Sequence, residues 1–349
     1  MTATATTALP DRWLVVRLSA LGDVVLTTGV LEHLRATLGW EFHFLTRAAF
    51  APALQGLPAV KKLVLPEAGA LRGAAWLKAC RDLAARHEGF GLLDLHGTLR
   101  SRALGALWRG PVLRHPKFAV QRRLYGLTRG EGLRARLERL NVPQRYALAV
   151  LGEAPPREAL RPVIHLREDE LAYGRDLVAG LGDDVPVCAL HPYATHAGKR
   201  WPTGHWQSLA QRLAMVGWKT VVIGRHPAPL FAVDPPEGTT DLTNATDIRQ
   251  TCAILAQCQA LVTGDSGPMH LGTAVGTRVV ALFGPTVRAW GFAPSGPQDV
   301  VIETPLPCRP CSLHGGRGCR RGEQCMRDID PDTVARAVLV RPGPEGGAA

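Results

Sequence analysis

Short apolar runs alternate with amphipathic segments along nearly the whole chain. Trp13–Leu18 (WLVVRL) reads as a strand. Asp23–Leu38 reads as a helix, with Val24, Thr28, Leu31, Leu34 and Leu38 at helical spacing. Glu41–Thr46 and Lys62–Leu65 read as strands on either side of a short helix near Ala48–Leu54. A helix near Gly73–His87 then leads to a strand over Gly91–His96. Strands alternating with helices in this way predict a parallel sheet covered on both faces.

The periodicity weakens between Lys117 and Leu151, an Arg-rich stretch that reads as helical. Glu153–Pro162 (EAPPREALRP) carries three prolines and reads as an interdomain linker. The alternation then resumes. Val185–Leu190, Lys219–Gly224, Ala260–Thr263 and Val279–Phe283 are expected strands. Thr203–Val216, Thr246–Cys258 (with Thr246 as N-cap), Gly267–Val275 and Pro331–Val340 are expected helices. Both halves share one α/β grammar. The expected architecture is two doubly wound Rossmann-like domains, residues 1–160 and 161–349, facing across a cleft, with the final helix able to pack back on the first. Such sheets bind ligands at the carboxyl ends of their strands.

Composition narrows the class of protein. The 349 residues are 46% hydrophobic and 20% charged, which excludes a disordered chain, a coiled coil or a fibre. No apolar run approaches the ~18 residues of a membrane span. Met1–Pro10 lacks the pattern of a signal peptide, so a cytoplasmic chain is expected. Cys80, Cys188, Cys252 and Cys258 lie in apolar segments and are expected to be buried free thiols. The net charge is uneven: residues 1–161 hold 24 Lys/Arg against 12 Asp/Glu, and residues 162–349 hold 17 against 18. A basic first half points to an anionic partner such as a phosphorylated substrate, nucleic acid or a membrane surface.

Three stretches could carry chemistry. Ser19-Ala20-Leu21-Gly22-Asp23 runs from the first strand into a helix. There Gly22 permits a tight turn, and Asp23 reads either as a plain N-cap or as a site carboxylate at a strand's carboxyl end. Neither G-x-G-x-x-G nor a phosphate P-loop follows this strand. Gly264-Asp265-Ser266-Gly267-Pro268-Met269-His270 repeats the strand–turn–helix design, with Ser266 or Asp265 able to cap. The free N–H groups of such a helix end favour an anion, and a diphosphate is a natural occupant. In the third stretch, Tyr193–Pro202, Thr195 and Lys199 stand four residues apart in a Gly-containing loop, so both can reach one phosphate, although spacing alone favours a solvated loop lysine. Asp94-Leu95-His96-Gly97 ends another strand. His96, with Arg100 and Arg102 after it and Arg122 and Arg123 beyond, is a candidate for acceptor contacts.

Taken together, Arg-Leu-Ser-Ala-Leu-Gly-Asp (17–23), Lys-Arg-Trp-Pro (199–202), Asp-Ser-Gly-Pro-Met-His-Leu (265–271) and Val-Val-Ala-Leu-Phe-Gly-Pro-Thr (279–286) resemble glycosyltransferase family 9, the heptosyltransferases of lipopolysaccharide core assembly. The resemblance runs from about Trp13 to Ile329. It implies the two-domain GT-B fold, an N-terminal acceptor domain and a C-terminal domain for an ADP-sugar, usually ADP-heptose. It further implies that Asp23 is the catalytic base, that Thr195 and Lys199 contact the donor diphosphate, and that Asp265 binds the donor sugar. Ser266, Gly267 and His270 would line the same pocket, while Gly22, His96 and Arg100 would face the acceptor. The acceptor would be an anionic glycolipid, reached by peripheral contact with the inner membrane. One departure is visible: after Gly224 the chain reads Arg225-His226-Pro227, without an acidic residue for the donor ribose.

The chemistry fits this assignment. A carboxylate accepts the proton of the attacking sugar hydroxyl, and Lys199, Thr195 and the helix amides stabilise the departing diphosphate without a catalytic metal or other cofactor. One base and one leaving-group site imply inversion at the anomeric carbon. Asp328-Ile329-Asp330 has the D-x-D spacing but lies far from these motifs. Cys308-x₂-Cys311-x₇-Cys319-x₅-Cys325 leaves open a structural metal, free thiols or disulfides. Two other classes remain: a nucleotide-sugar epimerase or isomerase on a similar fold, and a nucleic-acid-binding protein. The second is disfavoured by an aromatic content of 6% and by a basic excess in the half without the cysteine cluster.

Overall fold

The computed structural model describes residues 9–340 apart from 183, 232–234 and 317. The chain divides into two compact units, Met1–Lys117 with Pro143–Leu160, and Phe118–Val142 with Arg161–Ala349. The first contains β1 (Arg12–Val16), α1 (Leu21–Leu38), β2 (Glu41–Leu45), β3 (Val60–Val64), α2 (Gly73–Arg86), β4 (Gly91–Asp94), α3 (Leu99–Leu107) and β5 (Val112–Arg114). All five strands are parallel, in the order β3-β2-β1-β4-β5. β1 and β4 read as unbroken apolar runs because both faces of the sheet are covered. Leu14, Val16 and Leu92 pack under Trp76, Cys80 and Leu83 of α2 and Leu104 of α3.

The Arg-rich stretch forms α4 (Ala119–Thr128), α5 (Glu131–Glu138) and α6 (Val142–Ala147), helices as expected. Residues 118–142 nevertheless group with the second unit, not with the first as the linear reading places them. The reason is a small apolar cluster. Tyr125 and Leu137 pack on Ala289 and Trp290, with the Tyr125 and Trp290 rings edge to face at 5.7 Å.

The second unit continues with α7 (Glu168–Ala179), β6 (Val187–His191), α8 (Thr203–Ala214), β7 (Lys219–Val222), β8 (Thr239–Asp241), α9 (Ile248–Leu255), β9 (Ala260–Gly264), α10 (Gly267–Ala274), β10 (Arg278–Phe283), β11 (Val300–Glu303), α11 (Gln324–Arg327) and α12 (Pro331–Leu339). Its six strands are parallel, in the order β11-β10-β9-β6-β7-β8. Here too the strand order reverses at the middle, between β6 and β9, which is where doubly wound sheets open a crevice. Leu190, Val222, Val262 and Leu282 meet Trp206, Leu209 and Leu213 of α8 and Val334 and Val338 of α12. The final helix, expected to be able to return to the first domain, thus packs on α8 and β10 of its own unit, where Arg278 also donates to the Ala337 and Val338 carbonyls. The cap of α9 is Asp247, which accepts from Gln250 N, rather than Thr246. α3, α7, α11, β5, β8 and β11 were not expected. The three strands are short, three or four residues, and only half buried.

Candidate active site

In the first unit, the switch between β1 and β4 gathers the expected residues. Asp23 is not an N-cap. Ala20 holds that position, and Asp23 is the third residue of α1, its Oδ2 accepting from Ala20 N at 3.2 Å. Gly22 lies buried in the same helical turn rather than in a turn before it. The other partner of Oδ2 is Arg17 at the end of β1, 2.5 Å away. Arg17 is itself aimed by a hydrogen bond to Leu95 O at 2.6 Å. Burial opposes the Arg17 charge, but Tyr146, Asp23 and Asp94 outweigh it and raise its pKa. Among the described residues, Asp23 Oδ1 receives only a long bond, 3.3 Å, from the Tyr146 hydroxyl of α6. One carboxylate oxygen is therefore held, and the other is left with acceptor capacity.

Asp94 ends β4 fully buried, accepting from His96 N at 3.0 Å and Gly97 N at 2.7 Å. This turn fixes His96 at the strand's carboxyl end. Burial first, and then the nearby Arg17 charge, push the His96 pKa down to about 4. Its buried Nδ1 has no hydrogen-bond partner among the described residues. His115 stands edge-on to Tyr146 at 5.1 Å and is likewise depressed to about 4, chiefly by burial. Arg100 begins α3 half-exposed, and its carbonyl accepts from Trp76 Nε1 at 3.0 Å.

In the second unit, the register pairs Leu190 with Val262 and His191 with Thr263, so the loops after β6 and β9 emerge side by side. Lys199 Nζ lies 2.6 Å from Asp265 Oδ2 and donates to the Asp265 carbonyl at 3.2 Å. Thr286 Oγ1 donates to the same Oδ2 at 2.7 Å. Both charged side chains are mostly covered, each 14% exposed. The Lys199 stem lies against Gly315, where a Cβ would fall 2.8 Å from Lys199 Cγ and Cε. The Thr286 loop is fixed by the buried guanidinium of Arg309. It donates to Gly284, Phe283, Thr286 and Thr304 carbonyls and to Glu303.

Ser266 occupies the N-cap position of α10, yet its side chain makes no capping bond. Its hydroxyl turns to Thr263 Oγ1 at 3.1 Å and His191 Nδ1 at 3.3 Å instead. Asp265, the other expected cap, is engaged by Lys199 and Thr286. The N–H groups of Gly267 and Met269 are thus left for an anion at the helix's positive end, Pro268 between them having none. His191 is fully enclosed, and burial lowers its pKa to about 4, so it is neutral at pH 7. His270 is buried on α10, while Thr195 is exposed on the loop after β6.

Lys199, Asp265, Ser266 and Gly267 are therefore brought together, as are Gly22, Asp23 and the β4 end carrying His96. Arg17, Tyr146, His191, Thr286 and Arg309 were missed. Arg17 and Thr286 lie inside quoted motifs, whereas nothing in the sequence separates Tyr146, His191 or Arg309 from ordinary residues. The D-x-D string has a structural use: Asp330 caps α12 by accepting from Thr333 N, and Asp328 accepts from Gln324. Cys80, Cys188, Cys252 and Cys258 are buried free thiols, as expected. Cys308, Cys311, Cys319 and Cys325 are also free thiols, and no three His, Cys, Asp or Glu converge on a metal-binding arrangement among the described residues.

Comparison with known proteins agrees with this geometry. Residues 132–317, more than half of the chain, match the family described as glycosyltransferase family 9 (heptosyltransferase). Lipopolysaccharide heptosyltransferase 2 of Escherichia coli is 31% identical over 140 residues, 38% of this chain and 40% of its own. Lipopolysaccharide heptosyltransferase 1 of Pseudomonas aeruginosa is 27% identical over 323 residues, 86% of each chain. The solved structure of E. coli ADP-heptose lps heptosyltransferase II superposes with a TM-score of 0.70 at 22% identity, covering 94% of this chain and 97% of that one. That likeness shows the GT-B fold.

Proposed function

The chain belongs to glycosyltransferase family 9, and on that premise we propose that it transfers a heptose from ADP-heptose to a lipopolysaccharide-core or related glycan acceptor. The relatives' names supply the sugar and the acceptor class. The observation that carries the reading in this chain is the Lys199–Asp265–Thr286 constellation beside the uncapped start of α10. It sets a cation and a helix dipole next to a carboxylate at the switch point of the second sheet.

In this reading Asp265 orients the sugar hydroxyls, while Lys199, with Thr195 and the α10 amides, takes the charge that develops on the leaving diphosphate. A lysine already held by Asp265 is preorganised, so it need not be ordered at the moment of transfer. Asp23 Oδ1 accepts the proton of the acceptor hydroxyl as the new bond forms. Arg17 and Ala20 N hold Oδ2, fixing the carboxylate's orientation. Single displacement from this base inverts the anomeric carbon. Arg100 and His96 contribute acceptor contacts, and a neutral His96 offers its unpartnered nitrogen without adding charge. No helix of the described residues is long and apolar enough to cross a membrane. The reading places the chain in the cytoplasm, meeting a glycolipid acceptor at the membrane face.

The test is a donor screen of ADP-, UDP- and GDP-sugars with a deep-core lipopolysaccharide acceptor, read by nucleotide release and product mass. Acceptor-dependent ADP release with a heptose-sized mass gain supports the reading. Turnover of a nucleotide sugar without an acceptor would favour an epimerase or isomerase.

A further inference from the structure

The arginine-rich stretch 118–142 has an outward side that the transfer chemistry does not use. Its inward side is fixed to the second unit. Tyr125 and Leu137 pack on Ala289 and Trp290, and Arg129 Nη2 donates to the Cys308 carbonyl at 3.2 Å. Away from Tyr125 on α4, Val120, Leu124 and Leu127 follow the i, i+4, i+7 spacing of one helical stripe. They are 66%, 44% and 77% exposed. A single exposed aliphatic residue is ordinary, but a row of three turned to water along one helix marks a contact surface.

Charge decides what fits the row. Arg123 is exposed and lies three residues from Val120 and four from Leu127, so it flanks the row on the helix surface. α4 itself holds no acidic residue. Between 118 and 142 there are six arginines and two glutamates, and both glutamates, Glu131 and Glu138, are paired with Arg134 at 3.7 and 3.1 Å. Arg123 and, on α5, Arg136 are exposed and make no ion pair among the described residues. Aliphatic side chains flanked by uncompensated arginines match anionic headgroups lying over hydrocarbon. The row is also small for a protein partner, since a stable interface engages about 20–30 residues a side. A bilayer needs no such matched surface and takes apolar side chains of any shape.

We propose that the Val120–Leu124–Leu127 face of α4, with Arg123 beside it and Arg136 on the neighbouring helix, is the surface by which this chain docks on an anionic lipid bilayer. The aliphatic row enters the boundary between headgroups and acyl chains while the guanidiniums hold lipid phosphates. The proposal deepens the reading of a transferase with a glycolipid acceptor and rests on it for its purpose, but docking is measured without donor or acceptor.

The experiment is flotation of the full chain with vesicles of phosphatidylcholine alone and of equal parts phosphatidylcholine and phosphatidylglycerol. The chains compared are wild type, Leu124→Ser/Leu127→Ser, Arg123→Gln/Arg136→Gln and, as a control, Met215→Ser, an 85% exposed apolar residue at the end of α8. Wild type is expected to bind the mixed vesicles and not the neutral ones, and to bind less as salt rises. Each double variant is expected to weaken that binding about 10-fold or more, and Met215→Ser to bind as wild type. The leucine variant is expected to keep wild-type transfer to a lipid-free acceptor in solution. No binding by wild type, equal binding to both vesicles, or unchanged binding by either double variant overturns the proposal. So does a loss by Met215→Ser as large as theirs, or slowed transfer by the leucine variant to the lipid-free acceptor, which would set α4 against the sugar acceptor instead. A wild-type chain that docks on the mixed vesicles yet transfers nothing overturns the transferase reading alone.

Discussion

Arg17 and Asp23 face each other across the junction of β1 and α1, Nη2 to Oδ2 at 2.5 Å, with side chains 12% and 19% exposed. The pair makes Asp23 an oriented carboxylate with one oxygen held and one facing the weak Tyr146 bond. Removing its charge is therefore more than the loss of a helix-end group. Asp23→Asn keeps an acceptor for Ala20 N but leaves Arg17 opposite a neutral amide. We expect a stability loss of about 1–3 kcal/mol, the scale of a hydrogen bond to a charged group. Transfer is expected to fall by about 10²-fold or more while ADP affinity is retained. Near-normal transfer with the true acceptor present would assign Asp23 a structural role only.

Lys199→Ala removes the cation at the start of α10 and leaves Asp265 with Thr286 alone. ADP affinity should fall by about 10- to 100-fold, as for loss of one charge-assisted hydrogen bond. Melting temperature in the absence of nucleotide should also fall, because Asp265, only 14% exposed, loses its cation and keeps Thr286 alone. Equal ADP affinity in variant and wild type would remove the diphosphate from this loop.

Thr286→Val keeps the side-chain shape and deletes one hydroxyl. It should lower the affinity for the ADP-sugar more than the affinity for ADP, since its hydroxyl orients Asp265, the proposed sugar contact. The expected difference is about 0.5–1.5 kcal/mol, and Thr286→Ser should restore it. Identical losses for the two ligands would place Asp265 on the diphosphate instead.

His96, His115 and His191 all have folded-state pKa values of about 4, against an ordinary 6.5. The unfolded chain therefore binds more protons between those values. Stability from these groups is complete above about pH 6.5 and is lost progressively as pH falls toward 4. Thermal melts from pH 7.5 to 4.5 should show this decline. His191→Gln, which cannot ionise, should flatten it, and an unaltered slope would show that His191 is not among the groups responsible.

Much of the fold follows from local physics that a linear chain displays. β1, β4, β6, β9 and β10 are largely apolar runs because parallel strands are covered on both faces, and α1, α2, α8, α10 and α12 carry the matching helical spacing. The site motifs were legible for a related reason. Strand, turn, small residue and helix N-terminus are consecutive in sequence, so the 17–23 and 264–270 stretches stand out, whereas Asp23 and Lys199 acquire site roles only through the family resemblance of their motifs. What depends on contacts between distant segments could not be read. Residues 118–142 join the second unit because Tyr125 and Leu137 find Trp290 and Ala289. Asp23 acquires Tyr146 from 123 residues away, and Lys199 acquires Asp265 from 66 away. The His191–Thr263–Ser266 network exists only because β6 and β9 are neighbours in the sheet. The sequence by itself determined which residues could hold charge at strand ends. The tertiary structure decided which of those charges meet, because a side chain's electrostatic partner is set by strand order and not by position along the chain.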